Sequence, residues 1–390
     1  MRITQNALFN QLRHRMESNS ARLMRAQEIV ATQKKLNRLS DSPVDGARVV
    51  DVKQSLGRID QYLRNLDRLD AVVQVQDATL GEIGDLLVRA KELLLQESNE
   101  VTSTKETREA ARLEIVALLG QLTQIANTRF NGESIFAGSR TGGPAFVGAT
   151  VATAPNGVSG GAAVTAAKVY DDAALIPGEY RLVFTAPDQF ELREAVSGDL
   201  ILAGQPYVSG QPIRFHGVEL VVTNGSGAPA AGDRFDVTIS PPGVYQGDSQ
   251  VARVDIQADT RADKNIPGDR LFQGAGVANG VDLFDVMNRL NAALRTNDRA
   301  AMDGLLNDLD AARVQVSNER TRVGAQTNLL EGVRQRHLDV QLSLEAVRGN
   351  LEDADLAEAI TQLTQQQTIY EATLGAAAGI VQPSLLDFLR

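Results

Sequence analysis

The sequence predicts an α+β protein in which the two ends of the chain form a long antiparallel helical bundle or coiled-coil shaft, with a β-rich domain inserted between them. The chain has 390 residues, and 21 of its 33 glycines and 10 of its 12 prolines lie between Gly138 and Gly280. Both flanks carry apolar residues every three or four positions, whereas the middle alternates apolar and polar residues between turn signals. The first pattern is typical of helices and the second of strands.

The N-terminal flank predicts two helices. An apolar stripe begins at Val52, Leu56, Ile59, Leu63 and Leu66 and resumes at Val73, Leu80, Ile83, Leu87, Ala90 and Leu94. Its mean spacing of about 3.5 residues is that of a coiled coil or helical bundle. A second helix is expected from Lys105 to about Ala126, after a turn at residues 98–99 and a capping segment at residues 102–104.

The C-terminal flank has the more regular stripe. Its three-four spacing runs through Leu330, Val333, His337, Val340, Leu344, Val347, Leu351 and Ala354. After a small phase shift it continues through Leu356, Ile360, Leu363, Gln367, Tyr370, Leu374, Ala377 and Val381. Because no proline occurs between about 303 and 380, the pattern predicts a helix longer than roughly 100 Å. So long a stripe needs partner helices, and we therefore expect the two flanks to pack on each other.

The middle segment predicts several short strands. Alternating patterns occur at residues 180–185, 213–215, 218–223 and 235–239, separated by turn clusters such as Asn224-Gly225 and Pro241-Pro242-Gly243. Residues 148–163 are rich in Gly, Ala, Val and Ser and are expected to be flexible or irregular. His216 falls in a predicted hairpin turn.

Composition excludes several classes of protein. The chain has no Cys, which removes disulfides, thiolate catalysis and Cys-ligated zinc. Its net charge of −10 argues against nucleic acid as a partner. No apolar run is long enough to insert in a membrane, and the sequence lacks the pattern of a cleaved signal peptide. With 4% aromatic residues and no Trp, the composition favours long helices over compact aromatic cores.

A search for catalytic or ligand-binding residues finds none that spacing supports. The three histidines, His14, His216 and His337, lie far apart, and His337 occupies a position in the helical stripe, where a polar core residue is expected. An acidic cluster of Glu352, Asp353, Asp355 and Glu358 spreads over more than one helical face, which favours a solvated surface over a cation site. We therefore expect no enzymatic activity, no metal and no cofactor. A binding module, with an adhesin-like β domain on a coiled coil, remains a competing class.

The two ends of the chain differ in charge. Residues 1–60 contain 11 Lys or Arg and 6 Asp or Glu, whereas residues 351–390 contain one Arg and 6 Asp or Glu. Opposite net charges of +5 and −5 favour association of the ends through salt-dependent steering. Surface helices can also differ in charge without pairing, so the pattern alone leaves both interpretations open: association of the ends, or a chance difference between two surfaces.

Several motifs resemble the flagellin superfamily, and within it the hook–filament junction proteins. They are the opening Met1-Arg-Ile-Thr, residues 32–43 with Ser40-Asp41 before Pro43, and the closing segments 351–359, 365–367 and 384–389. Asn131-Gly132 with residues 135–138 is similar to the point where that family leaves its helical shaft, and residues 217–218 and 232–237 are similar to its strand motifs. Gln33 stands where the family usually has Gly, and Ser42 where it usually has Asp. A filament-forming flagellin paralogue is the alternative.

The resemblance implies a structural component of the bacterial flagellum. It implies export, unfolded, through the flagellar secretion channel to the outside of the cell, and self-association in a ring or helical layer. The implied partners are hook-associated protein 1, flagellin and a flagellar export chaperone.

The resulting domain organisation has five segments. Residues 1–42 form an N-terminal assembly segment, 43–137 the N-terminal shaft, 138–280 the β-rich insert, 281–354 the C-terminal shaft, and 355–390 a C-terminal assembly segment. We expect the two end segments to be disordered in the monomer and to order when neighbouring copies cover their apolar stripes. For Leu363, Tyr370 and Leu374, packing within the monomer is the alternative. The predicted assembly interface comprises Ile3, Leu8, Leu12, Leu23, Val30, Leu356, Ile360, Leu363, Tyr370, Leu374, Val381, Leu385, Leu386 and Phe388.

Overall fold

Helices form the two ends of the chain and antiparallel strands form its middle, which confirms the predicted α+β class. A computed structural model describes the backbone of residues 5–99 and 103–388 and the side chains of residues 10–99 and 103–377. The helices are α1 (Gln5–Thr32), α2 (Pro43–Ser98), α3 (Lys105–Ala126), α4 (Gly268–Phe272), α5 (Leu283–Thr296), α6 (Arg299–Glu352) and α7 (Leu356–Phe388). Within those described ranges, no helix is long and apolar enough to cross a membrane.

Fourteen strands lie between α3 and α4 in the described chain. They are β1 (Arg129–Phe130), β2 (Glu133–Ser134), β3 (Phe146–Val147), β4 (Thr150–Pro155), β5 (Ala163–Val169), β6 (Gly178–Ala186), β7 (Gln189–Glu194), β8 (Leu200–Pro206), β9 (Pro212–Phe215), β10 (Val218–Thr223), β11 (Arg234–Ser240), β12 (Val244–Tyr245), β13 (Arg253–Gln257) and β14 (Thr260–Asp263).

The chain divides into two compact units. One contains residues 1–64 and 332–390, and the other contains residues 65–331. The long helices α2 and α6 contribute to both units. The second unit holds the greater part of α2 and α6, together with α3, α5 and all the strands.

In the second unit, α2 and α6 pack side by side and antiparallel. Asp77 accepts hydrogen bonds from Arg320 at 2.9 Å, and Lys91 lies 2.6 Å from Asp310, so residue numbers rise along one helix as they fall along the other. The predicted stripe on α2 is the buried face. Burial of one Val, Leu or Ile side chain contributes about 1.5–3 kcal/mol to the free energy of unfolding. The stripe residues Val73, Leu80, Ile83, Leu87, Ala90 and Leu94 are all at most 1% exposed.

Helix α3 begins and ends where the sequence predicts. The Thr104 side chain accepts a hydrogen bond from the backbone N–H of Thr107, and the Thr107 side chain accepts one from the N–H of Thr104. This reciprocal capping box satisfies two N–H groups that the helix itself leaves without partners.

The uninterrupted C-terminal helix predicted over residues 303–380 is wrong. Helix α6 ends at Glu352, and α7 begins at Leu356. The Asp355 carboxylate accepts hydrogen bonds from the N–H groups of Ala357 and Glu358, which caps a new helix start. The phase shift in the apolar stripe marks this break.

The strands form a two-layer β sandwich with smaller hairpins beside it. One sheet has the order β4-β11-β6-β7-β8 and the other β5-β10-β9, and all pairs are antiparallel. The four predicted strand segments are confirmed in β6, β9, β10 and β11. The inward-facing side chains of both sheets share one core, which includes Leu182, Phe184, Leu220 and Val237, each fully buried. His216 lies at the β9–β10 turn with φ 44°, as predicted.

The irregular structure expected over residues 148–163 is only partly observed. Residues 150–155 form β4, which pairs with β11 from Thr150↔Ser240 to Pro155↔Phe235. The alternating Val, Ala and Thr residues of this segment suit a strand at the sheet edge, whereas its Gly and Ser residues lie outside the strand, most of them in the turn that follows.

Aromatic residues, although few, form a buried cluster in the second unit in addition to those in the sandwich core. Phe146, 1% exposed, packs against Tyr245, Phe272 and Phe284 with ring centroids 4.9–5.0 Å apart. Phe136 adds an edge-on contact to Phe272 at 5.3 Å. The expectation that composition disfavours a compact aromatic core is therefore wrong here, because a low total content does not prevent local concentration.

A buried carboxylate holds the turn between β4 and β5. Asp233, fully buried, accepts hydrogen bonds from the N–H of Ser159 at 2.7 Å, the Ser159 hydroxyl at 2.9 Å and the N–H of Ala230 at 2.8 Å. Gly160 N–H adds a further bond at 3.1 Å. Burial by itself raises the pKa of this carboxyl, but the donors outweigh burial and hold the pKa below its ordinary value of 3.8.

We expect Asp233→Asn to lower the free energy of unfolding of the β sandwich by about 1–3 kcal/mol, because the amide would turn a donor toward backbone N–H groups. In the wild-type protein, the Asp233 carboxylate contributes its full stabilisation above pH 3.8. That stabilisation is lost as the pH falls through the lowered native-state pKa. Urea unfolding at neutral and acidic pH measures both effects. Asp259→Asn, at an exposed hairpin tip, is the control; equal destabilisation by the two variants would contradict the prediction.

Candidate assembly surface

The first unit pairs the two ends of the chain. Helices α1 and α7 pack together, and the Asn19 amide donates a hydrogen bond to the Thr373 hydroxyl at 2.8 Å. Two small residues of this unit, Ala26 on α1 and Ala359 on α7, are only 8% and 5% exposed. The paired helices bring together the segments that the sequence identifies as the assembly ends.

The predicted interface residues fall into two environments. Leu12, Leu23 and Val30 on α1 are half-buried, as are Leu363 and Tyr370 on α7. By contrast, Leu356, Ile360 and Leu374 on α7 are 42%, 53% and 40% exposed. Ile3 lies outside the described residues. The side chains of five further predicted residues also lie outside them, namely Leu8, Val381, Leu385, Leu386 and Phe388.

The exposure of α7 has a geometric cause. At about 100° per residue, Leu356, Ile360, Gln367 and Leu374 fall within about 40° of arc. Thr373, which binds Asn19 of α1, lies on a face with Ala359 and Gln366 that is centred about 80–100° away from that stripe. We call the stripe Leu356, Ile360, Leu363, Gln367, Tyr370 and Leu374 the α7 seam. Helix α1 thus covers small and polar residues of α7 and leaves much of its apolar seam in solvent.

A buried carboxylate ties both chain ends together where they leave the long helices. Glu352, 4% exposed, lies 3.0 Å from Lys34 Nζ and 2.5 Å from Lys53 Nζ. Its carbonyl oxygen accepts the N–H of Lys35 at 2.8 Å, and the N–H of Ala354 donates to Gln33 O at 3.0 Å. The connection before α2 is therefore joined to the connection before α7.

The same connection contains a second ion pair and a strained residue. Asp41 accepts hydrogen bonds from the N–H groups of Asn37 and Arg38 and lies 2.6 Å from Arg25 of α1. The hydrogen bond from Arg38, with Arg25 nearby, holds the pKa of Asp41 below its ordinary value. Gln33 has φ 60°, a left-handed conformation that glycine adopts most easily, at the position where the flagellin superfamily usually has Gly.

The acidic cluster predicted to be solvated is thus only partly so. Asp353, Asp355 and Glu358 are exposed, but Glu352 is buried and paired. The sequence marks the position of this junction but not its pairing: the phase shift in the C-terminal stripe falls beside Glu352, and the basic pair Lys34-Lys35 follows α1.

We expect Glu352→Gln to lower the free energy of local opening of this junction by about 1–2 kcal/mol. The effect is moderate because Lys34 and Lys53 are half-exposed to solvent. Burial alone raises the pKa of Glu352, but hydrogen bonds from Lys53 and Lys34 lower it below 4.5 overall. The stabilisation from the Glu352 carboxylate is therefore complete above pH 4.5 and is lost as the pH falls through its lowered native-state pKa. Hydrogen exchange at residues 33–36 and 352–355 measures the effect. Glu358→Gln, at an exposed residue, serves as the comparison, and unchanged exchange in Glu352→Gln would contradict the assignment.

The other candidate groups named from the sequence lie in structural contacts in the described part of the chain. In the part of the chain that the structure describes, no three His, Asp or Glu are placed to hold a metal ion. His337, 9% exposed, stacks on Tyr62 with centroids 5.3 Å apart, which suits a residue in a helix–helix contact. His216 lies against Tyr180, and burial lowers its pKa. A cleft of about 260 Å³ in the second unit contains Lys264 and Glu133, which are paired at 2.6 Å.

Comparison with known proteins identifies the class. Residues 3–141 match the family model of the bacterial flagellin N-terminal helical region, and residues 306–389 match that of the C-terminal helical region. Together these regions cover more than half of the chain. The protein belongs to the bacterial flagellin family and is a structural component of the bacterial flagellum.

Individual relatives are distant. The chain is 24% identical over 345 residues to polar flagellin C of Vibrio parahaemolyticus, covering 82% of this chain and 80% of that one. It is 25% identical over 341 residues to flagellin A of Vibrio cholerae, with the same coverage. A solved structure of a putative flagellar hook-associated protein from Vibrio parahaemolyticus shares the fold, with a TM-score of 0.52, 16% identity, and coverage of 80% of this chain and 100% of that chain.

Proposed function

We propose that this protein is a hook-associated protein 3, an adaptor that joins the flagellar hook to the filament and polymerises through its paired terminal helices. The observation that carries the proposal is the exposed α7 seam. A soluble monomer gains nothing from leaving Leu356, Ile360 and Leu374 in solvent, whereas a subunit whose neighbours cover these residues recovers about 25 cal/mol for each Å² buried.

The junction position is supported by the connection between α1 and α2. Ser40-Asp41 before Pro43 is similar to the junction proteins, and Asp41 organises this connection by binding the N–H groups of Asn37 and Arg38. A protein that shares the fold is described as a putative flagellar hook-associated protein.

The proposal extends to partners and location. As an adaptor, the protein would contact hook-associated protein 1 on the hook side and flagellin on the filament side, and would be escorted by a flagellar export chaperone. It would act outside the cell after export through the flagellar channel, and it would have no enzymatic activity.

A filament-forming flagellin paralogue is the second candidate. It is favoured by relatives named flagellins, which align with the present chain over about four fifths of their length. The two candidates differ in where the protein lies along the flagellum.

Immunogold electron microscopy of purified flagella separates the two candidates. A junction protein gives one short labelled zone between hook and filament, and deletion of its gene leaves hooks without filaments and flagellin in the medium. A filament paralogue gives label along the filament.

Reintroducing the full-length gene controls for indirect effects of the deletion. A copy lacking residues 1–40 should fail to restore filaments if α1 is needed for assembly. A displayed binding module would keep its binding after that truncation. Label along the filament, or normal filaments in the deletion strain, would overturn the adaptor proposal.

A further inference from the structure

We propose that neighbouring copies associate head to tail, with the α7 seam of one copy lying in a basic groove between α1 and α7 of the next copy. This inference rests on the proposed function, because it concerns copies of this chain within one assembly. The α7 seam forms one half of the contact, and the groove of the α1–α7 pair forms the other half.

The groove is an open channel of about 660 Å³ along one side of the α1–α7 pair. Its α1 wall presents Arg15, Ser18 and Arg22, and its α7 wall presents Ile369, Ala372 and Ala376. The small residues leave room between the two helices. An apolar side chain from a third helix can insert there as a knob into a hole.

The seam and the groove lie on opposite sides of α7. With Leu374 as the origin and about 100° per residue, Ile360 and Gln367 lie within about 40° of it, whereas Ile369, Ala372 and Ala376 lie about 160–220° away. One copy therefore cannot place its own seam in its own groove. A two-fold interface that joined seam to groove would have to contain both surfaces of each copy at once. Because the two surfaces face opposite directions, joining them requires a heterologous contact, which repeats into a ring or helix.

Charge supports the same pairing. Arg13 and Arg25 have carboxylate partners in Glu17 and Asp41. In the described part of the chain, Arg15 and Arg22 in the groove have no such partner.

Between residues 356 and 377, α7 contains Glu358 and Glu371 and no Lys or Arg. Glu371 lies about 60° from Leu374, beside the seam. A seam entering the groove therefore brings a carboxylate toward two arginines that have no carboxylate partner among the described residues.

Cysteine cross-linking tests the contact, and the absence of Cys from the chain removes background. Single variants Leu374→Cys and Ile360→Cys mark the seam, and Ala372→Cys marks the groove. Each seam variant is co-expressed with the groove variant, the assembled flagellar structures are isolated, oxidised with copper phenanthroline and run on a non-reducing gel. A disulfide needs Cα atoms about 4.4–6.8 Å apart, so only adjoining helix faces react.

We expect a cross-linked dimer from at least one seam–groove mixture and none from any single variant. Thr364→Cys, on the same helix but outside both surfaces, is the matched control and should give no dimer with Ala372→Cys. Dimers from Leu374→Cys alone would indicate a two-fold contact and would overturn the proposal. Absence of dimers from both mixtures, in structures that contain both variants, would overturn it as well.

Failure of the proposed function gives a different result. If the chain is a filament subunit, the same cross-links form but the gold label lies along the filament. If the wild-type chain enters no polymer, no assembled structure contains it, which is seen before any oxidation. A salt test adds a second measurement: assembly of Arg15→Ala/Arg22→Ala should lose the salt sensitivity of wild type, and Arg13→Ala should retain it. Identical salt profiles for all three proteins would contradict the charge pairing.

Discussion

Phe146→Ala is expected to destabilise the second unit by about 3–5 kcal/mol, the usual cost of removing a fully buried phenylalanine. Phe146 is 1% exposed and contacts Tyr245, Phe272 and Phe284. Its backbone N–H and carbonyl oxygen are both bound by the Asn127 side chain, at 2.9 and 2.8 Å. The substitution leaves those bonds in place and removes only the ring. The expected loss is therefore one of packing, measured by denaturant unfolding of the purified chain.

Tyr170→Ala is the matched control. Tyr170 is 48% exposed and meets the Arg214 guanidinium over its ring, so its removal should cost less than about 1 kcal/mol. A loss below about 1 kcal/mol for Phe146→Ala would mean that the aromatic cluster is not a stabilising core.

The parts of the fold that follow from periodicity could be predicted from the sequence. The stripe through Val73, Leu80 and Leu87 is buried because regular spacing fixes one face of a helix, and the Thr104 cap follows from local hydrogen bonding. The four predicted strands alternate clearly. Strand β4 escaped prediction because small Ala and Thr residues give little contrast between the two faces, and pairing with β11 decides its conformation.

The aromatic cluster and the Glu352 junction could not be predicted in this way. Phe136, Phe146, Phe272 and Phe284 come from distant segments, and only the tertiary fold brings them together. Likewise, Glu352 meets Lys34 across 318 residues of sequence. An acidic residue among three other acidic residues resembles a solvated surface until its distant partners are located.

The α7 seam illustrates a different limit of sequence analysis. Strict three-four spacing predicts that a helix partner covers these residues, but it does not identify the partner. Within the chain, α1 binds a neighbouring face of α7 that contains Thr373, and the more apolar stripe remains exposed. The spacing is therefore consistent with selection for an intermolecular contact, which is why substitutions there should separate folding from assembly.

Ile360→Glu/Leu374→Glu is expected to abolish assembly while leaving the monomer folded. Both side chains are substantially exposed, 53% and 40%, so the monomer should lose no more than about 1 kcal/mol, and glutamate is a good helix former. In the polymer, each contact would lose the apolar burial of two seam side chains and would desolvate carboxylates that Arg15 and Arg22 compensate only in part. The net cost of about 2–5 kcal/mol is a loss of at least about thirtyfold in affinity. The loss recurs at every copy in the layer, and filaments should disappear.

Thr361→Glu/Thr364→Glu adds the same charge to α7 outside the seam and separates the effect of position from that of charge. This control should assemble and support motility, whereas the seam variant should be exported, soluble and monomeric by light scattering. Circular dichroism and thermal unfolding establish that both variants retain the wild-type fold. If the seam variant assembles as well as the control, the exposed stripe is not an assembly surface, and the contact between copies must use another part of the first unit.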